Sequence, residues 1–307
     1  MSSQSRVGCF SRVARVAMVC SLLLSAQLYA CDAGGGEGAA SASGSDVPTL
    51  LTVIDVLGFS RETSPGVAPG FDLDERISEH GDSESCGHGD FVSPEGDEGV
   101  DNQLALITPL FDTVGIGAIE TFVQAAVDEG GLLLMWELSG VDDLANDEEV
   151  TLRLRFGSGT PLLGTDGVLL SGQTFHLHPE SPNQALPNAR IVDGRLEAGP
   201  ADLGLPIVVF EVQYILDIRD ARIRADVTFD GGLAAGVLGG RVSIDNLMEI
   251  AERAEMESGG IIEAVTAILT GMGDLSPDEN GDCQEMSAAL TFSAVSAYLF
   301  GDAPARD

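Results

Sequence analysis

The chain contains no lysine: all 15 basic residues are arginine, set against 49 aspartates and glutamates. Without lysine there is no P-loop amine to cradle phosphates, no Schiff-base nucleophile and no kinase-type lysine. The formal charge of −34 argues against DNA or RNA as a partner, because phosphate contacts need a basic footprint. Aromatic residues are scarce at 5%, with a single tryptophan. Hydrophobic residues nevertheless make up 44% of the chain, too many for a charge-rich disordered protein. With 307 residues, the chain is long enough for one large domain or two small ones.

What is present begins with an address. Arg6, Arg12 and Arg15 form a positive segment with no acidic residue before Asp32. The apolar stretch 16–26 that follows is too short to cross a bilayer as a helix. Leu28-Tyr29-Ala30-Cys31 resembles a bacterial lipobox. The resemblance implies that residues 1–30 leave as a signal peptide and that the Cys31 thiol carries a diacylglyceryl group. The alternative is an ordinary secretory signal cut after Ala30 or a little later. Residues 31–46, dominated by Gly, Ser and Ala, have the composition of a tether. Both readings place the protein outside the cytoplasm. The lipobox adds anchorage in the cell envelope, on the extracytoplasmic side of the inner or outer membrane.

On this processing, Cys9 and Cys20 depart with the signal and Cys31 is lipidated, which leaves Cys86 and Cys283. In an oxidising compartment such a pair reads as one disulfide. Two free thiols acting as ligands is the weaker alternative, since no histidine stands at zinc spacing around either.

Hydrophobic periodicity places a single globular α+β domain over 47–307: an antiparallel sheet, sandwiched or barrel-like, with two helices early and two in the C-terminal part. Leu50 to Leu57 reads as a strand, and 58–101 as a long acidic loop of the kind that tends to be functional or mobile. Helices are expected from Asp101 to Leu110 and from Ile116 to Asp128. Strands follow at Leu132 to Leu138 and Val150 to Phe156, and Asp193-Gly194 marks a hairpin turn. Val208 to Phe229 reads as two antiparallel strands turning near Asp220, followed by a glycine-rich strand from Leu233 to Ile244. Helices at Asn246 to Met256 and Ile261 to Leu269 precede a closing strand, Met286 to Leu299.

Acids supply the first candidate chemistry. Asp72, Asp74, Asp82 and Asp90 surround Cys86, while Asp278, Asn280 and Asp282 precede Cys283. A disulfide would bring these oxygen-rich loops together, and calcium favours such oxygen cages. The odd spacing of Asp278, Asn280 and Asp282 matches calcium loops, but Cys283 takes the EF-hand glycine position and Ala289 the final glutamate position. The bland alternative is a set of solvated loop carboxylates. His176 and His178 share one face if their segment is a strand, a spacing that suits zinc or iron, with Glu180, His80 or His88 as further ligands. Arg153, Arg155, Arg222 and Arg224 are expected to pair with acids across strands. No Gly-x-Ser-x-Gly occurs, and Gly157-Ser158-Gly159 reads as a turn.

The segments Gly70-Phe71-Asp72-Leu73-Asp74, Cys86-Gly87-His88-Gly89-Asp90-Phe91 and Gly99-Val100-Asp101-Asn102-Gln103-Leu104 resemble uncharacterised lipoproteins of myxobacteria. So does the stretch from Asp274 to Cys283 with Phe292 and Ala294-Val295. That resemblance implies no activity. The leading expectation is a non-enzymatic, lipid-anchored envelope protein that binds calcium, a small ligand or a partner protein through its acidic loops. The rivals are a metal-dependent hydrolase using His176 and His178, and a lipid-binding envelope protein.

Overall fold

Apolar runs punctuated by glycine turns build one large sheet. The computed structural model describes residues 49–114, 118–209, 212–258 and 271–300, together with 266, 268 and 269. The segment that resembles a lipobox, Cys31, the stretch read as a tether and most of the helix expected at 261–269 lie outside the described residues. Strand β1 (Thr49–Phe59) is followed by a long loop that carries one short 3-10 turn, Ser83–Ser85. Helices α1 (Leu104–Val114) and α2 (Ala118–Asp128) come next, then β2 (Leu133–Ser139), β3 (Thr151–Ser158), β4 (Gln173–Leu177), β5 (Ala185–Leu186) and β6 (Arg190–Val192). The chain continues through β7 (Arg195–Val209), β8 (Val212–Val227), β9 (Leu233–Ser243), α3 (Ile244–Ser258), β10 (Leu275–Pro277) and β11 (Cys283–Leu299).

Hydrogen-bonded neighbours run β1-β2-β3-β4-β11-β9-β8-β7-β6, and β1 also pairs with β11. Five strands, β1, β2, β3, β4 and β11, therefore close a ring, and β9, β8, β7 and β6 extend from it. The α+β class holds. The sheet is mixed, because β4 lies parallel to β11 through Ala297 and Gln173. A core centred on Ile54, Trp136, Leu152, Leu154, Ile191 and Leu196 runs unbroken through ring and extension.

Three local features shape this sheet. The first corrects the hairpin expected at Asp220: residues 212–227 are one strand, not two. Apolar positions switch from even numbers (Tyr214, Ile218) to odd ones (Ile223, Ala225), which mimics a turn. The physical cause is a β-bulge between Arg219 and Arg222, with Asp220 at φ 49°; one extra residue flips the side-chain phase without ending the strand. The second is helix α2, which covers the edge of β1 left open beyond its pairing with β2. Gln124 accepts from Leu57 N at 3.3 Å and donates to Asp55 O at 2.8 Å, and Glu120 accepts from Phe59 N at 2.6 Å. Side chains one helical turn apart thus replace a strand's ladder. The third is Gly239 on β9, where a Cβ would stand 2.9 Å from Phe71. Its missing side chain lets the long loop lie against the sheet.

Candidate functional site: a strapped acidic loop

The loop after β1 has its own small core, Ala68, Phe91, Val100 and Ala105. Single bridges, Phe71 with Asp101 and Phe91 with Val100, hold it together. Cys86 and Cys283 form a disulfide with Cα atoms 6.0 Å apart, as expected from the cysteine count. It ties the loop to the first residue of β11.

Arginines on β8 and β9 supply further straps. Arg222 Nη1 donates to Asp72 O at 2.8 Å, and Arg241 donates to Leu73 O. The Arg224 guanidinium stands 5.5 Å from the centre of the Phe71 ring and 3.5 Å from Glu95. The expectation of cross-strand pairing fits Arg153 and Arg155, both of which meet Glu137 on β2. It fails for Arg222 and Arg224, whose partners belong to the loop. Nothing in strand periodicity announces a loop folded back over the sheet.

The straps set down residues 72–74 beside Asp101. Oxygens of Asp72, Asp74 and Asp101 lie within 4.8 Å of one another, the one such group of three metal-ligating residues among the described residues. One oxygen of each carboxylate serves its own loop. Asp72 accepts from Glu75 N at 2.6 Å, Asp74 from Arg76 N at 3.0 Å, and Asp101 from Leu73 N at 2.6 Å. The other oxygen of each has no hydrogen bond among the described residues. Burial pushes the Asp101 carboxyl up to about 8 against the Leu73 N–H, and the charges of Asp74, Asp274 and Asp90 add to the rise. Gly99, at φ +80°, makes the approach to Asp101 feasible, since a Cβ there would meet Arg76 O at 2.7 Å.

The remaining candidates go elsewhere. Asp82 caps the short 3-10 turn through Glu84 N, and Asp90 accepts from Ser78 N at 2.6 Å, with its carboxyl raised by burial. Asp278 accepts from the backbone N–H groups of Asp282 and Asn280, which hold its carboxyl below the ordinary range. That loop therefore spends its first carboxylate on its own turn. The His176 ring stacks on Phe300 at 4.4 Å, and His178 Nδ1 accepts from Glu180 N at 3.2 Å. Neither histidine belongs to a group of three potential ligands among the described residues.

Sequence reasoning missed a second, buried polar chain. Ser287 donates its N–H to Asp274 Oδ1 at 2.7 Å and its hydroxyl to Asp274 Oδ2, and it accepts from Gln103 N at 2.7 Å. Gln103 Nε2 reaches His88 Nδ1 at 2.7 Å, and His88 Nε2 reaches Gly271 O at 3.1 Å. Donation to that carbonyl and acceptance from the amide fix a neutral imidazole, and burial lowers its pKa. Burial raises the Asp274 carboxyl to about 6 despite the bonds from Ser287. The sequence signals of this polar chain are Asp274, in the acidic stretch before Cys283, and His88, weighed there only as a further metal ligand.

A groove of about 460 Å³ is lined by Pro94 and Glu95 of the loop and by residues of β9 and β11 that include Gly236 and Phe292. Its arginines are already engaged, Arg195 with Asp226 at 3.2 Å and Arg224 with Glu95. Comparisons with protein-family models, with curated protein sequences and with solved structures find no match.

Proposed function

We propose that the exported chain is a non-enzymatic envelope protein, lipid-anchored through Cys31, whose strapped loop face is a calcium-stabilised binding or structural surface. The observation that carries this reading is the convergence of Asp72, Asp74 and Asp101 under a loop fastened by a disulfide. The disulfide supports export, because such bonds persist in oxidising compartments. Three converging carboxyl groups suit a hard cation, whose charge would favour the ionised form of Asp101, with water completing the shell of six to eight ligands that calcium takes. The hydrolase reading gains nothing from His176, whose ring is occupied by Phe300.

Thermal melts of the purified protein in calcium and in EDTA test the calcium part. Binding at a hundredfold excess over Kd stabilises by about 2.7 kcal/mol. For a domain of this size that corresponds to a rise of roughly 5–10 °C. The rise should vanish in Asp72→Asn and Asp101→Asn. Identical melts in both buffers would sink calcium binding and leave the anchored envelope protein standing.

A further inference from the structure

Four aromatic side chains stand among the exposed large hydrophobics of the described residues: Phe122, Phe229, Tyr298 and Phe300. Three of them belong to segments that adjoin the first residues of β1. Leu51 pairs with Ala297, so the end of β11, with Tyr298 and with Phe300 just beyond it, adjoins Thr49 and Leu50. Strand β2 pairs along the other edge of β1, and the β8–β9 turn reaches the Leu50 side chain, with Gly231 placed where a Cβ would lie 3.6 Å from Leu50 Cδ2 and Phe229 two residues earlier. Phe229 is 97% exposed, Tyr298 61% and Phe300 53%.

Aliphatic side chains extend the patch. Leu162 and Leu170 are exposed on a hairpin whose backbone is held by Gln173, and Gln173 is the β4 partner of Ala297. Serine side chains bond the same hairpin to β11, Ser171 to Ser296 at 2.8 Å. The rim offers no lysine or arginine in these segments, and Asp230 and Asp166 stand within them. Charge attraction to an anionic surface therefore plays no part.

We infer that this end of the molecule seats on the lipid surface of the membrane that holds Cys31. The inference rests on the lipid anchor proposed above. Residues 31–48 can span at most about 65 Å fully extended, and they join the domain at Thr49, beside the end of β11 that carries Tyr298. Aromatic rings and leucines at one end of a domain match the interfacial layer of a bilayer, where such side chains partition with their apolar faces toward the acyl chains. The strapped loop then faces away, because the disulfide sits at the opposite end of β11, roughly 50 Å of strand distant. Anchor and patch together give two attachments, and the first raises the effective concentration of the second.

The test places a thiol-reactive environment-sensitive dye at Tyr298→Cys, or at Ile215→Cys on β8 far from the patch, in the full lipidated chain. Each is reconstituted into phosphatidylcholine vesicles that contain nitroxide-labelled lipid. Flotation with the vesicles reports the anchor, and quenching reports the seating. The expected result is co-flotation of both, with severalfold quenching at 298 and little at 215. Adding Phe229→Ser and Phe300→Ser to the 298-labelled chain should remove the quenching and leave flotation intact. Flotation without quenching at 298 overturns the seating and spares the anchor. Failure to float overturns both. A blue shift at 298 that depends on protein density and not on nitroxide lipid assigns the patch to a second copy and overturns the inference.

Discussion

Asp274 illustrates how one buried carboxyl writes a pH dependence into the whole domain. Its pKa rises from 3.8 to about 6 because burial penalises the anion more than the Ser287 bonds favour it. The folded state therefore holds this proton where the unfolded chain has released it. The stability it contributes is complete below the unfolded value and is lost as pH rises through about 6. The loss amounts to about 3 kcal/mol at 1.36 kcal/mol per unit. His88 acts with the opposite sign: its lowered pKa removes stability as pH falls below about 6.5. Urea unfolding of the wild type and of Asp274→Asn, both in EDTA from pH 4 to 8, isolates the carboxyl as a difference. The difference should grow in favour of the variant between pH 4 and 7 and then level off. Parallel pH profiles would show that Asp274 titrates normally.

Strands were far more legible than the loop that crosses them. Alternation in Val150 to Phe156 and the Asp193-Gly194 turn follow from local rules, and both stand in the fold as β3 and the β6–β7 hairpin. The bulge at Asp220 escaped because a phase flip and a turn leave the same mark on an apolar pattern. The helix expected at Asn246 appears as α3, which begins at Ile244, with Ser243 accepting from Asn246 N at 3.4 Å. Cysteine arithmetic found the one long-range contact of the loop that the sequence could reveal. The carboxylate cluster is partly legible: Asp72, Asp74 and Asp101 all stand in the acidic stretch around Cys86, but the start of a helix at Asp101 gives no sign that its carboxylate meets the other two. It joins them through bridges and arginine straps that carry no sequence period. These straps make a further expectation. Reduction of Cys86–Cys283, or Cys86→Ser with Cys283→Ser, should cost at most about 5 kcal/mol on the chain-entropy account of a loop with sequence separation 197. Because Arg76 is the only arginine between Arg61 and Arg153, tryptic cleavage after it monitors the loop. Reduction should accelerate that cut severalfold, while Arg153 and Arg155 in β3 stay resistant. An unchanged rate at Arg76 would mean that the arginines alone hold the loop.

Charge acts over the whole molecule, and the structure changes how the −34 is understood. Arginines of the described sheet are spent on specific tasks. Arg153 and Arg155 neutralise Glu137, Arg219 and Arg241 meet Glu285, and Arg222 holds the backbone at Asp72. Few cations are left to offset the acids on turns and loops, so a surplus of negative charge remains distributed over the surface. Self-repulsion of this kind destabilises the compact state at low ionic strength. Added salt shortens its range to about 8 Å at 0.15 M and 3 Å at 1 M. Exposed ion pairs weaken under the same conditions, but each is worth only about 0–1 kcal/mol. The repulsion of the surplus is therefore the larger effect. Melting temperature should climb as sodium chloride rises from about 0.01 M toward 1 M, measured in EDTA so that no divalent cation contributes. A flat or falling profile would mean that the acids are spaced widely enough to ignore one another.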